Sequence, residues 1–345
     1  MADRRDEAIA HFETQARACA ALGSPFLGAF LPALARRLDP ATRVGARALG
    51  WPGDYVADAV ALRLAGALNA LARSGEAPGL AAVWPGLGGD GTGAVEAAVA
   101  AIEAHDASVD RWLDGAPQTN EARRSGVLMG AICGLGWDRV EVLEIGASAG
   151  LGLGFDGYRF ELGEGRAWGP EGSAVRLESD WRGAAPALRD FAVEARAGCD
   201  LAPIDPSDPA QRARMMAYIW PDQPERRALL EAALDHAAAQ DWRVERADAA
   251  EWAARRLAEP QAEGRGRVLW HSIMKQYLPA ATQSALDAAV AAAGARATPE
   301  RPFALIAMEA DATPGSAAAT ATVWPGGETR EVARTSFHGY WTEWA

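Results

Sequence analysis

One short glycine-containing segment has the residue types and spacing to bind a ligand. Residues Glu144–Leu151 read E-I-G-A-S-A-G-L and follow the apolar run Val140–Ile145. Small residues let a chain turn tightly from a strand into a helix, and they let a ligand approach the backbone. Glu144 stands two residues before the first glycine, at the end of the predicted strand, where open α/β sheets bind ligands. This turn is therefore the first candidate for a binding site.

The turn resembles the first motif of class I S-adenosylmethionine-dependent methyltransferases, an acidic residue followed by Gly-x-Gly-x-Gly. The match covers Glu144, Gly146 and Gly150, and Ser148 stands where that family has its middle glycine. The resemblance implies that these four residues hold the methionine part of S-adenosylmethionine. It implies a methyl transfer reaction. Separately from the resemblance, we expect no metal site.

Two further acids extend this resemblance. In that family an acid after the third strand contacts the adenine, and Asp248 follows the third predicted strand here. An acid of the second strand binds the ribose hydroxyls, and Asp200 is our candidate for it beside Glu194. An ordinary interpretation of each is a solvated carboxylate or a helix N-cap.

The same turn also spells Gly-x-Ser-x-Gly, the nucleophile elbow of α/β-hydrolases. Ser148 would be the nucleophile, Glu309 or Asp311 the acid and His338 the base, in the chain order of that fold. A hydrolase elbow follows a central strand with earlier strands in place, whereas the strand before Ser148 is predicted to be the first. We favour the methyltransferase interpretation and keep two alternatives, a serine hydrolase and a ligand-binding protein without catalysis.

A second candidate segment follows the fourth predicted strand. His271 ends that strand, and an imidazole can serve as a general base near neutral pH. Tyr277, or the only lysine, Lys275, would orient an acceptor. In the methyltransferase order this edge of the sheet faces the methyl acceptor, which we expect to be a small molecule or a protein.

Two aromatic segments lie outside these motifs. Trp220-Pro221-Asp222-Gln223 with Arg226 and Arg227 is either a substrate lid with arginines for a carboxylate or phosphate, or an N-capped helix with Trp220 in the core. Residues 337–344 are unusually aromatic, so we expect them to pack against the body of the protein and line the pocket.

The elements that position these residues follow from hydrophobic periodicity. Up to about residue 125 the strong patterns are helical, including one stripe that begins near Asp54 and contains Val56. Beyond it, strands alternate with helices, which predicts right-handed crossovers and a mostly parallel sheet. The predicted strands are Val140–Ile145, Phe191–Ala195, Trp242–Arg246, Arg267–His271 and Phe303–Met308, with a closing hairpin of Thr320–Val323 and Arg330–Thr335.

We therefore expect an α/β protein with two domains. Residues 1–125 form an all-helical domain, and residues 126–345 form a Rossmann-like, methyltransferase-like domain. The glycine turn and the candidate acids all belong to the second domain.

Composition excludes several classes of function. The chain has 345 residues, of which 49% are hydrophobic and 23% charged, and its net charge is −12. That charge argues against a nucleic-acid partner, because such a partner requires a positive surface. The three scattered cysteines fit a reduced, cytoplasmic protein without a zinc site. No apolar stretch predicts a signal peptide or a membrane span.

The whole chain resembles an uncharacterised bacterial family called domain of unknown function 2332. That name carries no activity. Gly152 departs from the family pattern, which has asparagine at this place. The residues that carry the resemblance are Glu144–Leu151, Asp156, Tyr158, Arg159, Trp220–Gln223, Arg226, His271, Ser272, Gln276–Leu278, His338 and Gly339.

Overall fold

The structure is a computed structural model that describes residues 2–345, with side chains from Arg4 onward. It divides into two compact units. One comprises the chain up to Thr119 together with Pro209–Ala228, and the other comprises Asn120–Asp208 and Leu229–Ala345. The predicted division assigns Pro209–Ala228 to the second domain, whereas here this segment groups with the N-terminal helices. None of the described helices is long and apolar enough to cross a membrane.

The first unit is helical. Its core is formed by buried alanine, leucine and aromatic side chains on the inner faces of these helices. The segment Ser24-Pro25 shows how the sequence begins a helix, since Ser24 accepts a hydrogen bond from the backbone of Leu27 and proline stands at the first turn. The helices are α1 (Ala2–Ala21), α2 (Pro25–Arg37), α3 (Arg43–Leu49), α4 (Val60–Ser74), α5 (Pro78–Val83) and α6 (Ala94–Trp112), followed later in the chain by α8 (Pro209–Ala217).

The helix predicted to begin near Asp54 begins later, at Val60. The carboxylate of Asp54 accepts hydrogen bonds from the backbone of Val56 and Ala57 and so forms a separate turn. Ala59 then adopts a left-handed conformation, with φ of 51°, which interrupts the helical path. Val56, expected in the apolar stripe, is 70% exposed. The prediction was wrong there because a side-chain turn competes with the helix.

The second unit contains a nine-stranded sheet. Its strand order is β5 (Asp180–Gly183), β12 (Trp341–Trp344), β11 (Glu328–Thr335), β10 (Ala317–Trp324), β9 (Phe303–Ala310), β8 (Gly266–Ser272), β1 (Arg139–Ile145), β6 (Ala192–Asp200) and β7 (Val244–Arg246). The five strands from β9 to β7 are parallel to one another. The predicted mixed α/β architecture with a mostly parallel sheet and an N-terminal helical region is confirmed. The parallel strands are β1 (Arg139–Ile145), β6 (Ala192–Asp200), β7 (Val244–Arg246), β8 (Gly266–Ser272) and β9 (Phe303–Ala310).

Antiparallel strands extend the sheet beyond β9. β10 (Ala317–Trp324), β11 (Glu328–Thr335) and β12 (Trp341–Trp344) form a meander, of which the predicted hairpin is the first part. β5 (Asp180–Gly183) then pairs in parallel with β12 at the edge. A separate three-stranded sheet contains β2 (Arg159–Glu161), β3 (Ala167–Trp168) and β4 (Arg176–Glu178).

The two faces of the parallel strands carry different layers. Helices α10 (Ala249–Ala258) and α11 (Ala280–Arg296) pack on one face with Leu143, Ile145 and Leu269, and we call it the helix face. We call the other the turn face, because a 3₁₀ helix, Leu151–Gly157, follows the glycine turn there and contacts β1 and β6. Helices α7 (Ser125–Leu135) and α9 (Pro224–Ala238) complete the secondary structure.

Candidate functional site

The order of the parallel strands creates a switch point between β1 and β8. From β1 the chain passes through the small sheet and the edge strand β5 and then forms β6 and β7 on one side of β1, before it returns to β8 on the other side. Loops that leave two such neighbouring strands in opposite directions open a crevice at the carboxyl ends of the strands, where α/β proteins bind ligands. The segments bordering this crevice are the glycine turn after β1 and the loop after β8.

The glycine turn has the tight, left-handed backbone that its residues permit. Gly146, Ser148 and Gly150 have φ values of 70°, 53° and 74°. Asp200 secures this turn, because its Oδ2 atom accepts a hydrogen bond from the Ser148 backbone at 2.9 Å, while its Oδ1 accepts one from Ala202 at 2.8 Å. The candidate ribose ligand is therefore also the residue that shapes the turn, and its rival Glu194 pairs with Arg139 away from it.

Glu144 projects from the end of β1 on the turn face and is 4% exposed. It lies against the 3₁₀ helix so closely that a Cβ atom added at Gly152 would lie 2.5 Å from its Oε1. Burial raises the pKa of the Glu144 carboxyl from 4.5 to about 8, and the charge of Asp200 adds to the rise. A hydrogen bond from Trp270 and the positive charge of Arg124 oppose this rise in the pKa of Glu144 only in part.

Two buried polar atoms of the turn lack hydrogen bonds. Neither Oε2 of Glu144 nor Oγ of Ser148 has a partner among the described residues, and Ser148 is 3% exposed. Buried polar groups in native proteins are almost always satisfied, so such a pair indicates a place that a ligand or ordered water completes. Together the two side chains offer a carboxyl group and a hydroxyl group beside the backbone of the glycine turn.

A histidine and a glutamate form the second part of the site. His271, at the end of β8, is 2% exposed, and its Nδ1 lies 2.7 Å from Oε1 of Glu309 on β9. The same oxygen accepts hydrogen bonds from the backbone N–H groups of Met274 and Lys275, at 3.1 and 3.2 Å. Sequence reasoning placed Glu309 in the alternative hydrolase triad and did not pair it with His271.

The contact with Glu309 determines which ring nitrogen of His271 carries a proton. Burial alone would raise the pKa of Glu309, but the hydrogen bond and charge of His271 and the two backbone donors lower it below its ordinary value. Glu309 is therefore an ionised acceptor, and Nδ1 of His271 carries the proton that it receives. The Nε2 atom, which makes no hydrogen bond within the described part of the chain, then presents a lone pair.

The loop after His271 covers the glycine turn. A Cβ atom added at Gly146 would lie 3.0 Å from Cβ and Cγ of Met274, so this side chain lies directly over the turn. Ile273 has φ of 50°, a left-handed conformation that a β-branched residue rarely adopts. A hydrogen bond from its N–H to the Met308 carbonyl holds it there. Such strain is typical of functional loops.

Glu144 and His271 approach the crevice from opposite faces of the sheet. Glu144 is aligned with Trp270 across the β1–β8 ladder, and successive residues of a strand point to opposite faces. His271 therefore lies on the helix face, as does Glu309, because His271 is aligned with Ala307. The crevice is flanked by a carboxyl group on one side and by an imidazole on the other.

Three other predicted residues have side-chain environments of their own. Tyr277 is 71% exposed in a 3₁₀ turn, and Lys275 forms an ion pair with Asp287 at 2.6 Å. Asp248 follows β7 and caps helix α10, where its Oδ1 accepts hydrogen bonds from Ala250 and Glu251. In residues 2–345 no group of three His, Cys, Asp or Glu side chains has a metal-binding arrangement.

The acids of the alternative hydrolase triad have other partners. Glu309 is bonded to His271, and Asp311 forms an ion pair with Arg334 at 2.7 Å. His338 contacts the ring of Tyr340 in the segment before β12. This arrangement does not favour the triad of Ser148, Glu309 or Asp311, and His338.

The Trp220–Gln223 segment takes part in the helical unit. Both carboxylate oxygens of Asp222 accept hydrogen bonds at the start of α2, from the Ser24 hydroxyl at 2.6 Å and the Phe26 backbone at 3.0 Å. Trp220 packs against the helical core, and the guanidinium of Arg226 lies over its ring. These contacts favour the interpretation with Trp220 in the core over the substrate lid, but the helix start that Asp222 binds is that of α2 and not that of the helix after the segment.

Sequence reasoning missed two residues beside the turn. The Asn120 side chain accepts a hydrogen bond from the Leu151 backbone at 2.9 Å, and the charge of Arg124 acts on Glu144. The only sequence signal was the pair Arg123-Arg124 in front of the apolar helix α7. Arginine pairs are common at helix starts, so only the folded structure shows that Arg124 lies near Glu144.

Comparison with known proteins gives one match. A model of a family described as uncharacterized protein conserved in bacteria (DUF2332) matches residues 9–344. Neither the search of curated proteins nor the search of solved structures returned a match.

Proposed function

The chain belongs to this bacterial family, and we propose that it binds S-adenosylmethionine at the glycine turn and transfers the methyl group to a small-molecule or protein acceptor. The observation that carries the proposal is the pair of buried, unsatisfied atoms, Oε2 of Glu144 and Oγ of Ser148, on a glycine turn at the switch point.

The strand order supports a Rossmann-like site. Numbered along the chain, the parallel strands β1, β6, β7, β8 and β9 lie in the order 3-2-1-4-5, which is the order of dinucleotide-binding sheets. One difference is that the connection from β1 to β6 contains the 3₁₀ helix, the small sheet and the edge strand β5 in place of a long helix. A methyltransferase-like fold is thus part of this proposal.

The residues at the turn fit the cofactor. An ammonium group next to Glu144 would favour the ionised carboxylate and give its free oxygen a partner. Asp200 and Asp248 each accept hydrogen bonds from backbone N–H groups. Because a carboxylate has about four lone-pair positions, each can also accept hydrogen bonds from the ribose or the adenine. When bound, S-adenosylmethionine supplies an electrophilic methyl group on its sulfur.

His271 is the proposed general base. Glu309 keeps the proton on Nδ1, so Nε2 can remove a proton from an oxygen or nitrogen acceptor as it attacks. The remaining rate acceleration comes from aligning the acceptor with the methyl group, because methyl transfer mainly requires a correctly placed nucleophile. Tyr277 remains a candidate for orienting the acceptor, from a surface position that the loop would have to bring inward.

Calorimetry with S-adenosylmethionine and its demethylated product tests the proposal. We expect saturable binding of both to the wild-type protein, and Glu144→Gln to weaken it by about tenfold or more, because a charge-assisted hydrogen bond is lost. Glu178→Gln, an exposed acid on β4, is the matched control and should bind normally. Absence of binding up to millimolar concentration would sink the proposal.

A serine hydrolase is the second candidate, favoured by one observation. Ser148 has φ of 53°, and a strained turn of this kind is also how a nucleophile elbow exposes its serine. Labelling by a fluorophosphonate that is lost in Ser148→Ala would support this candidate. Cofactor binding without turnover on a panel of acceptors would instead support a non-catalytic ligand-binding protein.

A further inference from the structure

Arg123 has an unusual environment for a charged side chain. It lies in the 3₁₀ helix Ala122–Arg124, just before α7, and its Nε and Nη1 atoms are enclosed without any hydrogen-bond acceptor in residues 2–345. No carboxylate pairs with it there. Arg123 as a whole is half-buried, but its two enclosed nitrogens have lost water without gaining an acceptor, which is costly.

An aromatic ring supports the guanidinium from one side. The Cζ atom of Arg123 lies 4.6 Å from the centre of the Tyr340 ring, within cation–π distance. Tyr340 is 41% exposed, so the pair lies at the surface of the unit. Nη2 is not among the enclosed atoms, which leaves this nitrogen and its edge of the guanidinium for a ligand to approach.

The C-terminal segment is fastened against the arginine. A Cβ atom added at Gly339 would lie 2.8 Å from the backbone carbon of Arg123, so only glycine permits this approach. Ser336 accepts a hydrogen bond from the Tyr340 backbone at 2.8 Å, and Arg124 donates one to the Phe337 carbonyl at 2.9 Å. These contacts fix the position of Tyr340 relative to Arg123, so the stack of the two side chains is part of the fold.

We propose that Arg123 and Tyr340 form a binding site for the carboxylate or phosphate group of a small-molecule ligand. Arginine has five N–H donors and no acceptor, so the missing partner must accept hydrogen bonds. Carboxylates and phosphates match the planar guanidinium and supply the counter-charge that the protein does not. The site does not depend on methyl transfer and would serve any ligand of this class.

Calorimetric titration with inorganic phosphate and with acetate, at constant ionic strength, tests the site. We expect the wild-type protein to bind at least one of them, and Arg123→Gln to bind it about tenfold or more weakly. Arg330→Gln removes an exposed arginine of β11 and is the matched control, with unchanged binding. Preference for phosphate assigns a phosphate-bearing ligand, and preference for acetate a carboxylic acid. Failure of both anions, or equal binding by Arg123→Gln, overturns the proposal.

A stability measurement distinguishes a binding residue from a structural one. Without anion, Arg123→Met should be at least as stable as the wild-type protein in urea, because an uncompensated charge is removed and the packing on Tyr340 is kept. A marked loss of stability in Arg123→Met would mean that the arginine serves the fold, which contradicts the proposal. Titration of Glu144→Gln with phosphate separates the two proposals, since that variant should retain anion binding whether or not S-adenosylmethionine binds.

Discussion

His271 and Glu309 form a pair in which Nδ1 of the imidazole lies 2.7 Å from Oε1 of the carboxylate. The same oxygen also holds the backbone of Met274 and Lys275. One carboxylate therefore orients the candidate base and fixes the loop that covers the glycine turn. A change at Glu309 should affect both functions together.

Replacement of Glu309 by glutamine should change the tautomer of His271. Without the negative charge, the preference for a proton on Nδ1 weakens, because the amide can also donate to the ring. Nitrogen-15 NMR of the imidazole should report the Nδ1–H form in the wild-type protein at neutral pH and a mixture in Glu309→Gln. A wild-type ring protonated on Nε2 would contradict the assignment.

Removal of the Glu309 side chain should destabilise the protein. Glu309→Ala leaves two backbone donors and a buried imidazole without an acceptor, which costs about 2–4 kcal/mol of the free energy of unfolding. Glu178→Ala, at an exposed position, should change it by less than about 0.5 kcal/mol. Urea titration of both variants measures the difference, and equal effects would refute the structural role of Glu309.

The buried Glu144 should make stability depend on pH. Its pKa is about 8 in the folded protein against 4.5 in the unfolded chain, so the folded state binds an extra proton between these values. The free energy of unfolding should therefore fall as pH rises from about 4.5 to 8, by an amount on the order of a few kcal/mol. Glu144→Gln should lack this part of the fall. If the two pH profiles run parallel, Glu144 is ionised in the folded protein.

Gly152 and Glu144 should be energetically coupled. Gly152→Ala places a Cβ against the carboxylate and should cost about 1–3 kcal/mol, but much less when Glu144→Ala has already removed that group. Gly172→Ala is the control, because a Cβ there meets nothing within 4 Å. A double-mutant cycle measured by urea unfolding gives the coupling, and additive effects would count against the contact.

The protein should be more stable with glycine than with alanine in place of Ile273. With φ of 50° it lies in a region where a Cβ costs roughly 1–2 kcal/mol, so Ile273→Gly should be more stable than Ile273→Ala. At Leu278, with φ of −76°, the order should be the usual one, with alanine the more stable. Thermal unfolding of the four variants tests this reversal, and the same order at both positions would disprove the strain.

Local patterns predicted the parallel strands and the glycine turn. Val140–Ile145 is a continuous apolar run, and buried strands of parallel sheets have this signature. The small strands β2 to β5 were not predicted, since they have only two to four residues and are stabilised by partners far along the chain. The longer strands are therefore accessible from sequence, although their ends differ from the predicted ones by up to five residues, as at β6 (Ala192–Asp200 against the predicted Phe191–Ala195). Short strands that depend on tertiary pairing are not accessible.

The candidate site was predictable in its residues but not in its partners. Glu144 and His271 stood out because each ends a predicted strand. The pairing of Glu309 with His271 depends on the register of β8 and β9. The role of Asp200 in shaping the turn depends on where the end of β6 lies relative to the turn. Arg123 carried no signal, because an arginine before a helix is ordinary until its lack of a partner is seen.

The pairing of β5 with β12 has a consequence for how the protein is made. Asp180 is aligned with Trp341, so β12, which joins the edge strand β5 to the rest of the sheet, is translated long after β5. Until then the edge of β5 has exposed N–H and C=O groups that other chains can pair with. Contacts between such distant residues also slow folding. On the ribosome, the sheet of the second unit stays incomplete until β12 has been translated. We expect a chaperone to be most useful to the chain during this interval.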